Sequence, residues 1–177
     1  MKFSLTLLTI YFALNLKFCG KNESNNSSSE TEIITNSDEA KSHLLVLADL
    51  KHILLNNLTN ENSICAYLKT IDNKWKLQGT ENEEIIFSIN QNSTCKEMLS
   101  FHHNHNILEY ITFDDNHFFR YIKDFENQNF DITKTSVNEY GGNVSNFSDG
   151  KIFIITEEIP MTETGKNAHK ILIAQKK

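Results

Sequence analysis

From Ser63 to the end of the chain, short runs rich in β-branched and aromatic residues are separated by clusters of Asn, Asp and Gly. That punctuation restricts the fold more than any other feature. Runs of this length between turn-forming residues predict strands: "CAYLKTI", "KWKLQGT", "EIIFSI", "NILEYITF", "HFFRYIKDF", "FDITKTSV", "YGGNVSNF", "KIFIITEEI" and "HKILIAQ". Two turns are legible, "FDDNHF" joining Phe113 to Phe118 and "FSDGKI" joining Phe147 to Ile152. Strands joined by short turns make an antiparallel meander, and nothing in the order suggests the strand–helix alternation of a parallel sheet. No internal sequence repeat is visible.

Ahead of these runs, "NSDEAKSHLLVLADLKHILLNNL" has helical spacing, with Leu44, Leu47, Ala48, Leu54 and Leu58 on a recurring stripe. Asn36 or Ser37 can cap it, and Asp38 and Glu39 suit the positive end of the helix dipole. The stripe is expected to pack on the sheet. The fold class is therefore mainly β (α+β): an N-terminal helix packed on an antiparallel β-meander or a small, partly closed barrel.

The first residues read as an export signal. Phe3 to Leu16 is an apolar run of 14 residues behind Lys2, whereas a membrane-spanning helix needs about 20. Leu16 and Cys19 stand at the positions of a lipobox, although Lys17 and Phe18 are larger than the small residues usual between them. Gly20 and the polar stretch 21–37 follow, which as a flexible coil spans roughly 20–25 Å. The organisation expected is a signal peptide over 1–18, a tether over 19–37, a helix and connection over 38–62, and a β-domain over 63–177.

This N-terminus resembles bacterial lipoproteins of the spirochaetal kind. The resemblance implies a lipid on Cys19, membrane attachment through that anchor, and a place in the cell envelope, at the outer membrane or cell surface. Over 63–176, "KWKLQGT", "YITFDDNHFFRYI" as a central hairpin, "SDGKIFIITEE" and "KILIAQ" resemble lipocalin-like meanders. The lipocalin Gly-x-Trp signature is missing, since Asn73 and Lys74 precede Trp75. With Cys19 modified, Cys65 and Cys95 remain as an even pair in an oxidising compartment. A bridge between them would stabilise the fold by about 3–4 kcal/mol.

Seventeen Lys and Arg against 23 Asp and Glu give a net charge of −6, with no basic stretch to meet a phosphate backbone, so nucleic acid is an unsuitable partner. "FHHNHN" offers His102, His103 and His105 as candidate metal ligands, without the further ligand that would complete a site. Asp114 and Asp115 have turn chemistry, and Glu157 and Glu158 end an apolar strand as a solvated rim. No nucleophile elbow, P-loop or dinucleotide fingerprint occurs, and the glycines of "YGGN" suit a bulge or bend.

Trp75, Phe113, Phe119 and Tyr121 are candidates to line a pocket for an apolar ligand. The competing reading places the aromatics, with Phe118, Phe125 and Phe130, in the core. The expected function is a non-enzymatic, cofactor-free binding or structural module for a host component, an envelope partner or a small apolar ligand. Two alternatives are a secreted metal-dependent enzyme using the His-rich loop, and a soluble secreted glycoprotein using the sequons at Asn22, Asn25, Asn26, Asn57, Asn92, Asn143 and Asn146.

Overall fold

The computed structural model describes residues 44–56, 58–81, 83–91, 94–161 and 166–176, with the backbone alone described at 81, 91, 94, 95 and 166. The export signal, Cys19, the tether, the start of the first helix and the sequons at Asn22, Asn25, Asn26, Asn57 and Asn92 lie outside them. Among the described residues, three helices, α1 (Leu47–Leu55), α2 (Glu61–Ile71) and α3 (Asp115–Asn127), accompany eight strands. In chain order the strands are β1 (Lys76–Glu81), β2 (Glu84–Gln91), β3 (Thr94–His102), β4 (Ile107–Thr112), β5 (Asp131–Val137), β6 (Asn143–Ser148), β7 (Ile152–Met161) and β8 (Lys166–Gln175).

All eight strands form one antiparallel sheet in the order β1-β2-β3-β4-β8-β7-β6-β5. The expected α+β class with an antiparallel meander is what the chain adopts. The sheet stays open, because β1 and β5 stand at opposite edges. It consists of two four-stranded meanders joined through β4 and β8, each preceded by a helix. The halves share a detail that their sequences hide. The register slips after the second residue of each first strand, between Leu77 and Gly79 in β1 and between Ile132 and Lys134 in β5. The pair before each slip is also alike, Leu77 opposite Phe87 and Ile132 opposite Phe147, with both phenylalanines buried.

Two runs predicted as strands are helices. "CAYLKTI" belongs to α2, whose N-cap Asn60 accepts a hydrogen bond from the Ser63 amide at 2.9 Å and whose Ile64 and Leu68 face the core one turn apart. "HFFRYIKDF" belongs to α3, so the expected central hairpin through "FDDNHF" is replaced by a helix. Asp114 there is an N-cap accepting from the His117 amide at 3.1 Å, and Asp115 lies in the first turn. His117, Phe118, Tyr121 and Phe125 then fall on one buried face. Removing that cap in Asp114→Ala is expected to lower stability by about 1 kcal/mol, seen as a lower denaturant midpoint with an unchanged slope.

In the opposite sense, 94–102 shows no strand alternation in sequence yet forms β3, so nine predicted runs lose two and gain one to give eight strands. The helices cover one face of the sheet. There Leu47, Leu50, Ile53, Ile64 and Leu68 meet Phe87, Leu99, Leu108, Ile154, Ile171 and Ile173 in the main core. Alternation puts the intervening residues on the second face, where Ile86, Met98, Ile111 and Ala168 form a smaller buried cluster edged by Phe113, Ile159 and Met161.

Candidate functional site

The aromatic candidates do not converge. Trp75 and Tyr121 are buried in the main core, Phe113 packs on the smaller cluster across the sheet, and Phe119 is 59% exposed on α3. An aromatic ligand pocket built from these four is therefore not what the fold makes. Phe118, Phe125 and Phe130 are core residues, with Phe125 5.0 Å from Phe147 and 5.8 Å from Phe130 between ring centroids.

The histidine cluster also divides. His102 ends β3 on the second face, 3.6 Å from Glu84, whereas His103 and His105 are exposed in the turn that follows. Among the described residues no group of three or more His, Cys, Asp or Glu side chains is placed to hold a metal ion. Cys65, expected to bridge to Cys95, is instead a half-buried free thiol on α2 at the margin of the main core. The side chain of Cys95 lies outside the described residues.

Two groups of polar residues are brought together that, His102 and Tyr121 apart, sequence reading had not singled out as site residues. The first crosses the second face of the sheet. Glu84 is opposite His102 on β2 and β3, and Glu157 is opposite Lys170 on β7 and β8. Between these ladders lies Glu109 on β4, paired in register with Ser100 and Leu172. Lys170 is 4% exposed and its Nζ is 2.5 Å from Glu157. Glu157 also accepts from the Asn138 amide at 3.0 Å, so the rim expected at Glu157 is a held ion pair. Burial raises the Glu109 carboxyl above its ordinary range. Lys170 and His102 pull it back, while Glu84 and Glu157 add to the rise.

The band thus carries three carboxylates against one lysine and one histidine, next to the apolar cluster. Such a surface can accept hydrogen bonds and offer apolar contact along its half-buried edge, at Phe113, Ile159 and Met161; it contains no activated nucleophile. Its signal in the sequence is faint, a charged residue in the same alternate series as Ile86, Met98 or Ile111.

The second group lies on the helix side. Glu97 is 1% exposed, in the alternate series that continues through Leu99 and Phe101. Its carboxyl lies beside the Tyr110 hydroxyl and the Leu45 backbone, and burial pushes its pKa up to about 7. His117 lies 5.0 Å from Tyr121 and 6.1 Å from Tyr110 between ring centroids. Burial holds it below its ordinary value, with neither ring nitrogen in a well-formed hydrogen bond. The phenols of Tyr110 and Tyr121 are driven well above their usual range, in both cases chiefly by burial. Beside them His169 Nε2 meets Asp115 at 2.7 Å, and its ring stacks on Phe118 at 4.2 Å.

Among the described residues no helix is long and apolar enough to cross a membrane. No family model matches this chain, and neither curated proteins nor solved structures give a significant match.

Proposed function

We propose that this chain is an exported protein of the cell envelope, held by a lipid on Cys19, whose folded domain is a non-enzymatic binding module. The binding surface is the second face of the sheet. The observation that carries this reading is the joint placement of the Glu84–His102 pair, Glu109 and the Lys170–Glu157 pair beside Phe113, Ile159 and Met161, the half-buried edge of the smaller apolar cluster. The described helices pack against the opposite face. A mixed apolar and charged face of this kind suits protein recognition, in which apolar contact supplies affinity and charge sets orientation.

Anchoring rests on the apolar run, Leu16, Cys19 and the polar stretch up to Ser37. The secreted glycoprotein is the weaker reading, since Asn143 and Asn146 lie within β6 and the Asn143 amide donates to Glu158 at 2.8 Å.

Two measurements test the proposal. Intact mass of the native protein is expected to begin at Cys19 with acyl chains, and Cys19→Ala to lose them; an unmodified or glycosylated N-terminus would overturn the anchor. A photo-crosslinking residue at Phe153, on the second face, is expected to capture a defined envelope partner in cells, while one at Phe119, on α3, captures none. Equal capture at both, or none at Phe153, would remove the second face as the binding surface.

A further inference from the structure

We propose that the Leu45 peptide is a proton-controlled latch through which the first helix is held on the sheet or released. Leu45 is fully buried, and its backbone is gripped from two elements. Tyr121 on α3 donates to its carbonyl at 2.5 Å. The buried carboxyl of Glu97 on β3 and the His117 ring of α3 both lie against it. Tyr110 on β4 lies beside Glu97. The next residue continues the grip into the helix, because the Val46 amide donates to Asp49 at 2.9 Å and closes the first turn of α1. Release of Leu45 therefore frees the start of α1, whose Leu47, Leu50, Ile53 and Leu54 are buried against the rest of the core.

The charge around the clamp decides what a proton does there. Glu97 faces Lys96 on its own strand and Asp114 ahead of α3. His117 faces Asp114, Arg120 and Asp124, and Tyr121 faces Asp49 and Asp124 as well as Glu97. Burial outweighs all of these at Glu97, so the closed latch holds a proton up to about pH 7. Once Leu45 lifts and water enters, the carboxyl returns toward its ordinary value and loses that proton.

The sign follows directly. A group raised in the closed state favours closure fully at low pH and loses that preference as pH rises to about 7, after which the dependence is flat. His117, lowered in the closed state, acts in the opposite sense: closure is favoured above its ordinary value and is weakened as pH falls. The two opposed groups flatten the natural profile, and removing either one exposes the other.

Amide hydrogen exchange of the full chain tests this, read in peptides covering α1 and corrected for intrinsic exchange. The ratio of the opening constant at pH 8 to that at pH 5.5 is expected to fall by up to about thirtyfold in Glu97→Gln. His117→Gln is expected to raise the same ratio. Tyr121→Phe is expected to increase opening at both pH values with the ratio kept. Peptides from β7 and β8 are expected to show none of these changes. Identical ratios in wild type and Glu97→Gln would overturn the latch. So would the same change in β7 and β8, which would mark unfolding of the whole domain.

Discussion

Lys170→Met is expected to destabilise the domain by about 3–5 kcal/mol at neutral pH, and to lose much of that deficit on acidification. Methionine keeps the length and apolar stem of the lysine, so the substitution removes charge with little change in packing. What it leaves is a half-buried Glu157 without its 2.5 Å partner and a Glu109 without the cation that pulls its carboxyl down. Glu109 is already raised by burial and would be raised further. A carboxyl raised in the folded state contributes stability at low pH that is lost as pH rises, so the variant's deficit is largest near pH 7 and shrinks toward pH 5. Urea midpoints at those two values measure it. Lys170→Met combined with Glu157→Gln is expected to recover part of the loss at pH 7. A deficit independent of pH would show that packing, not charge, makes Lys170 important.

The same residues show where sequence reading runs out. Strands written as short continuous apolar runs were legible: "KIFIITEEI" and "HKILIAQ" carry Ile154, Ile171 and Ile173 to the main core, and they pair as β7 and β8. β3 was not, because Glu97 interrupts its core series while Met98 gives its other series an apolar residue, leaving no alternation to read. Conversely, "DDNHFF" carries the residues of a tight turn, and the same acids serve equally well as a helix cap and first turn. Only the spacing of Phe118, Tyr121 and Phe125 distinguishes the two, and it resolves the aromatics into core. The polar groups on both faces depend on which strands become neighbours. β4 meets β8 only after the chain has crossed to the far edge, so nothing local to Glu109 announces Lys170.

Gly142→Ala is expected to cost about 2–4 kcal/mol, well beyond Gly141→Ala one residue earlier. The "YGGN" glycines anticipate a bend, and their roles in it differ. Gly141 has φ of +83° with open space around it, so a side chain there meets only backbone strain, about 1 kcal/mol or somewhat more. A Cβ on Gly142 would run into the Glu158 carbonyl oxygen, a backbone atom of β7 that cannot move without disturbing the ladder.

The loop would have to lift, and its bonds run through Asn138. That side chain accepts from the Gly142 amide at 2.8 Å and donates to Glu157 at 3.0 Å and to the Glu158 carbonyl at 2.9 Å. Lifting the loop therefore also withdraws a donor from Glu157, the partner of Lys170. Thermal unfolding of the two alanine variants measures the difference. Matching losses would mean that the β5–β6 turn is held by its own geometry alone. A larger loss in Gly142→Ala that is partly additive with Lys170→Met would place the turn and the charged band in one coupled unit.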